Sequence, residues 1–152
     1  MVTLREATKE DLKTLLEFEQ GVVTAERPYN PTLINGNIHY YDLVSLIESE
    51  DATLIVAEKD HEIVASGYAM IKKAEKDYFN FKEYSYLGFM YVKPEHRGQG
   101  INQSVIDRLI KWSEERGMKE IRLDVYDQNE SAVKAYEKVG FEPVLLTMRL
   151  KK

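Results

Sequence analysis

The chain contains no cysteine, which excludes a disulfide framework, a thiolate zinc site and a cysteine nucleophile. It has only four prolines and one tryptophan in 152 residues. No run approaches the roughly 18 apolar residues that a membrane-spanning helix needs. The opening Met1-Val2-Thr3-Leu4-Arg5-Glu6 leads into charge without the apolar centre of a signal peptide, so the expected compartment is the cytoplasm. Cations are the minority charge, 21 against 26 carboxylates for a net charge of -5. That balance argues against nucleic acid, whose phosphates demand clustered cations, and mildly favours a cationic partner. The three histidines, His39, His61 and His96, are scattered without ligand spacing, so no metal is expected.

What is present is an ordinary globular composition, 43% hydrophobic and 31% charged, at a length that suits one domain over residues 1–152. Val2 to Arg5 reads as a short strand. Thr8-Lys9-Glu10-Asp11 has the form of a capping box ahead of Leu12, Leu15 and Leu16, predicting a helix that stops near Gly21. Val22 to Tyr40 carries Pro28, Pro31, Gly36 and three asparagines, and reads as a long irregular segment of the kind that often holds function. A short helix is expected around Asp42 to Ile47. Thr53 to Ala57 and Ile63 to Ile71 read as a hairpin about Lys59-Asp60-His61-Glu62, and Tyr84 to Val92 as a third strand. Ile101 to Arg116 is the clearest helix, with Val105, Ile106, Leu109 and Ile110 on one stripe and Gly117 as its stop. A strand over Ile121 to Val125, a helix capped by Asn129 and a last strand over Val144 to Leu150 complete a mixed α/β domain with no internal repeat.

The most informative stretch is Met90-Tyr91-Val92-Lys93-Pro94-Glu95-His96-Arg97-Gly98-Gln99-Gly100-Ile101-Asn102-Gln103, which passes from a strand through a glycine turn into the best helix. Gly98 and Gly100 admit a close approach to backbone, and the first-turn amides and the helix dipole favour an anion that Arg97 would neutralise. The same stretch also suits a plain strand-to-helix turn. A dinucleotide fingerprint fits less well, since it wants a third glycine where Gln103 stands.

A second stretch, Asn129-Glu130-Ser131-Ala132-Val133-Lys134-Ala135-Tyr136-Glu137-Lys138-Val139-Gly140-Phe141, follows the next strand. Together the two stretches resemble the Gcn5-related N-acetyltransferase superfamily. Arg97 and Gly100 match its Arg-x-x-Gly-x-Gly or Ala loop. Asn129, Ala132, Tyr136, Lys138, Gly140 and Phe141 match its Asn-x-x-Ala-x-x-x-Tyr-x-Lys-x-Gly-Phe run. The resemblance spans Val2 to Leu150. It implies a central mixed, mostly antiparallel sheet flanked by about four helices.

By that resemblance the backbone of Met90, Tyr91 and Val92 pairs with the pantetheine arm of acetyl-CoA, and an amide there holds the thioester carbonyl as charge develops. Arg97, Gly98, Gln99, Gly100, Ile101, Asn102 and Gln103 hold the pyrophosphate. Asn129 hydrogen-bonds the pantetheine, caps its helix, or does both. Asn102 departs from the family's usual Gly or Ala, and either crowds the phosphate or donates to it. Tyr136 is the expected proton donor to the departing thiolate, whose acid has a pKa near 8.5.

A general base is harder to name. Leu87, Gly88 and Phe89 stand where many relatives place a carboxylate. Deprotonating a lysine amine at pH 7 costs about 4.6 kcal/mol and an α-amine about 1.1 kcal/mol, so a missing base favours weakly basic amines. Glu26, His39 and Glu83 are the substitutes, each read more simply as a surface or loop residue. Glu26-Arg27-Pro28-Tyr29 and His39-Tyr40-Tyr41-Asp42 fall where the family builds its acceptor pocket. Arg27 there either grips an acceptor carboxylate or pairs with Glu26 or Asp42. Tyr78, Phe79, Phe81, Tyr84 and Tyr86 read as pocket lining, core or the face of a homodimer.

The resulting expectation is a direct N-acetyl transfer from acetyl-CoA to a primary amine in a ternary complex. The competing reading is a non-catalytic acyl-CoA-binding sensor or interaction module.

Overall fold

Arg5, on the first strand, grips the Asp11 carboxylate at 2.8 and 3.0 Å, and Asp11 in turn accepts the Thr8 N–H at 2.8 Å. The Arg5 hydrogen bond holds the Asp11 carboxyl below its ordinary range. This capping box starts the first helix, as expected from the sequence. The computed structural model describes residues 1–152. It contains β1 (Thr3–Glu6), α1 (Leu12–Glu26), α2 (Leu43–Glu48), β2 (Ala52–Lys59), β3 (Glu62–Lys73), β4 (Glu83–Val92), α3 (Ile101–Glu115), β5 (Ile121–Leu123) and α4 (Glu130–Val139). No helix is long and apolar enough to cross a membrane.

The first helix does not stop at Gly21 but runs to Glu26. Glycine inside a helix costs about 1 kcal/mol relative to alanine, and tertiary packing overrides that here. Val22 and Val23 beyond it are buried. A Cβ on Gly21 would lie 2.6 Å from the Tyr91 ring, so the missing side chain is what lets α1 lie against β4. Leu16 turns outward, and the buried face is Leu15, Phe18, Glu19, Val22 and Val23.

The strands form one sheet in the order β1-β2-β3-β4-β5, antiparallel through β4, with β5 parallel to β4. Strand alternation sends Leu54 and Val56 to the face covered by α1 and α2, and Ile55 and Ala57 to the face covered by α3. The β2–β3 turn places Asp60 and His61 at φ 52 and 64, the paired left-handed geometry of a tight hairpin.

The last expected strand, Val144 to Leu150, does not form. Beyond Phe141 there is no regular structure, and Phe141 N–H to Tyr136 O is the last backbone hydrogen bond of the chain. A strand exists only through a neighbour's ladder, and nothing in the single chain pairs with the outer edge of the three-residue β5.

Candidate active site

The β3–β4 ladder slips between Ser66 and Tyr68, where Phe89 adopts φ 58. That bulge keeps Gly88 and Phe89 on the α1 side of the sheet, while Leu87 and Met90 face α3. It also opens the strand. β5 pairs with β4 only through Ser85, Tyr86 and Leu87, leaving Gly88 to Val92 with a free edge. The Phe89 carbonyl accepts from Ser66 Oγ at 3.1 Å on the β3 side. Its trans peptide therefore turns the Met90 N–H into the gap. Lys93 N–H bonds Val64 O, so alternation sends the Val92 N–H the same way.

At the end of this edge the Arg97 Nε–H donates to Val92 O at 3.0 Å, and its guanidinium stands 5.9 Å from the Tyr91 ring centre. Gly98 and Gly100 take φ 77 and 78, and nothing lies within 4 Å of where their Cβ atoms would be. The loop is therefore an open cradle capped by the unpaired first-turn amides of Ile101, Asn102 and Gln103. Asn102 is half-buried there and makes no side-chain hydrogen bond within the protein. Two side chains turn away from the cradle, Gln103 to Asp107 at 2.8 Å and Gln99 to Lys59 at 3.1 Å. Lys59 is thereby brought beside the loop, a cation the sequence reading passed over.

Across the gap, Asn129 caps α4 through Oδ1, accepting from Ala132 N–H at 3.4 Å and Ser131 Oγ at 3.3 Å. Its amide donors stay free, so capping and ligand contact are compatible. Tyr136 is half-buried on the same helix, its hydroxyl unbonded and its ring edge-on to Phe141 at 6.1 Å. Burial, with the Glu26 carboxylate adding to it, pushes the Tyr136 phenol up to about 12.

Glu26 is not a solvated surface charge. It is half-buried and its pKa is raised by burial, while burial first and the Glu26 charge second raise Tyr40 to about 12 and raise Tyr41 as well. The Tyr40 hydroxyl is buried without a hydrogen-bond partner. Tyr29 stacks on Tyr126 at 6.2 Å, and Asn30 donates to the Tyr126 hydroxyl at 2.9 Å, joining the end of α1 to the loop after β5. One carboxylate thus sits among phenols at the end of α1.

The space that a strand carboxylate at Gly88 would need is filled by the Tyr68 ring, 2.7 Å from the position of a Cβ there. Of the other substitutes, His39 Nδ1 bonds the fully buried Glu19 at 2.9 Å, and Glu83 lies exposed at the far end of β4. Arg27 grips neither an acceptor nor a carboxylate. Its guanidinium donates to Ile34 O at 2.9 Å and Gly36 O at 2.6 Å, holding the irregular segment. Tyr78, Phe79, Phe81 and Tyr84 contact one another in series, and Phe79 and Phe81 cover the Arg122 guanidinium. Tyr86 instead donates to Asp124 at 2.9 Å.

A family model described as the acetyltransferase (GNAT) family matches residues 17–141. The thialysine N-epsilon-acetyltransferase of Sus scrofa is 42% identical over 55 residues, 36% of this chain and 32% of that protein. The chain thus spans about a third of the length of the first curated relatives it matches. A mutant of the BH1408 protein from Bacillus halodurans shares the fold at TM-score 0.88 and 21% identity, covering 99% of both chains. So does a predicted acetyltransferase with acetyl-CoA from Clostridium acetobutylicum, at TM-score 0.76 and 22% identity, over 99% of this chain and 96% of that one.

Proposed function

This chain belongs to the acetyltransferase (GNAT) family, and from that premise we propose that residues 1–152 act as one cytoplasmic N-acetyltransferase domain. Its donor is acetyl-CoA and its acceptor a cationic primary amine, joined by direct transfer. The observation that carries this reading is the bulge at Phe89, which frees the Met90 N–H at one end of an edge whose other end is the Arg97–Gln103 cradle.

The donor supplies an acetyl thioester, whose C–S bond breaks as the amine nitrogen forms the new amide. Each remaining task falls to a residue of this chain. Arg97 and the amides of Gly98 to Gln103 hold the pyrophosphate, the free edge from Met90 to Val92 and the Asn129 amide hold the pantetheine, and the Met90 N–H stabilises the oxyanion. Tyr136 attends the departing sulfur. Glu26 attracts the ammonium form of the acceptor and takes its proton, the role the strand lacks at Gly88. The thialysine-acetylating relative agrees with an aliphatic amine acceptor.

The test is thiol release from acetyl-CoA with lysine, thialysine, an α-amine peptide, a polyamine and an aminoglycoside, alongside thermal shift by acetyl-CoA. Acceptor-dependent release is expected. Stabilisation without release from any of them would favour the sensor reading instead.

Two variants probe the two halves of the site. Arg97→Ala is expected to weaken coenzyme A about tenfold while leaving phosphate-free pantetheine fragments unchanged, and calorimetric titration of both compares them. Glu26→Gln is expected to lower kcat/KM about tenfold. Because burial raises the Glu26 pKa, wild-type kcat/KM should fall as pH drops through a value above the ordinary carboxylate range. That acid limb should vanish from the Glu26→Gln profile, and a limb that persists would take the base role away from Glu26.

A further inference from the structure

At the start of β2 the two packed faces of the sheet meet around a cavity of about 390 Å³, within the size range of small-molecule sites. Leu46, Ile47 and Leu54 from one face and Trp112 from the other form its apolar wall. We propose that this cavity binds a free α-amino acid with an aliphatic side chain, its carboxylate on Arg116 and its ammonium on Glu6 and Thr53. None of the residues assigned to acetyl transfer takes part.

The cavity is remote from the acetyl-transfer site. The 15 residues of α3 put its two ends about 22 Å apart, with the Arg97–Gln103 cradle at one and Trp112 and Arg116 at the other. Along the sheet, Ala52 pairs with Met70 and Met70 with Tyr86, on the part of β4 away from Met90 to Val92.

Arg116 is already oriented for a ligand. Its Nη1 donates to Glu50 O at 2.6 Å and its guanidinium stands 4.7 Å from the Trp112 ring centre, so two contacts fix it while its other side-chain N–H donors stay free. A guanidinium held in this way takes a carboxylate through two parallel hydrogen bonds. No carboxylate of the chain fills that role, because Arg116, Glu6 and Glu50 all line the cavity and belong to none of the ion pairs. Thr53, also on the lining, is 4% exposed, and its hydroxyl is buried without a hydrogen-bond partner, although buried hydroxyls are ordinarily paired. An anion thus meets a prepared guanidinium, a cation meets two carboxylates and a hydroxyl oxygen, and an aliphatic chain meets leucine, isoleucine and tryptophan. An aliphatic α-amino acid satisfies all three. A simple amine would leave the guanidinium unpaired, and a simple fatty acid would leave the carboxylates so.

Trp112 is the only tryptophan of the chain, so the cavity carries its own reporter. Titration of the full chain with L-leucine is expected to change Trp112 fluorescence saturably. Leucinamide, which lacks the carboxylate, and 4-methylpentanoate, which lacks the amine, should each bind about tenfold more weakly. Arg116→Ala should weaken leucine about tenfold. Thr53→Val removes a hydroxyl that pairs with nothing in the chain, so it should keep the wild-type Tm while weakening leucine about fivefold. The absence of a saturable response, equal affinity for the three compounds, or unchanged leucine affinity in either variant would each overturn the proposal.

Discussion

Tyr136→Phe is expected to lower kcat about 100-fold while leaving acetyl-CoA affinity unchanged, a loss of about 2.7 kcal/mol in transition-state stabilisation. The hydroxyl has no hydrogen bond inside the protein, so its removal leaves no orphaned partner and little to lose in folding. With its pKa pushed up to about 12 the phenol stays protonated at any ordinary assay pH. That same value limits what it can do alone, because giving a proton outright to a thiolate whose acid lies near 8.5 is uphill. In the proposed mechanism it therefore hydrogen-bonds the sulfur as negative charge builds, and the coenzyme leaves as its thiolate while the amine proton passes to Glu26. Single-turnover kinetics with thermal shift on the same samples separates this from a binding role. Equal loss in kcat and donor affinity would make Tyr136 a binding residue.

Glu19→Ala is expected to destabilise the fold by about 3 kcal/mol, lowering Tm by roughly 10 °C. Glu19 is completely buried and accepts from the Tyr40 N–H at 2.8 Å, the Tyr41 N–H at 2.9 Å and His39 Nδ1 at 2.9 Å. Alanine would strand two backbone donors in the interior, whereas Glu19→Gln keeps an acceptor oxygen and should cost about half as much. The same contact sets Tyr40 and Tyr41 opposite Glu26, so the alanine variant should also raise the acceptor KM more than the acetyl-CoA KM. Urea unfolding with steady-state kinetics reads both effects. A stability loss with no change in acceptor KM would mean that Glu19 holds the fold and not the pocket.

The backbone geometry of the proposed donor side was legible in the sequence because it is local. A strand, two glycines with positive φ and a helix start are contiguous from Met90 to Gln103, and Asn129 caps the helix that carries Tyr136. The surroundings of the proposed acceptor side were not, because its side chains meet only through tertiary packing. Arg27 reads as a ligand grip until Ile34 and Gly36 carbonyls are found to occupy it. Glu26 reads as a surface charge until α1 is seen to continue past Gly21 and carry it inward. The vacant carboxylate position at Gly88 is explained by Tyr68, a residue on the adjacent strand with no motif to mark it. Val144 to Leu150 has a strand's alternation, but a strand also needs a ladder, and no strand of the sheet pairs with it.

The helix that carries Tyr136 has no fully buried residue, unlike α1 and α3, which are seated in the two faces of the sheet. Its local opening should therefore cost less than that of α1 or α3. Opening it breaks none of the hydrogen bonds of the five-stranded sheet. In the proposed site the wall that bears Tyr136 is thus opened more readily than the phosphate cradle, which is anchored by the buried Ile101 at the start of α3.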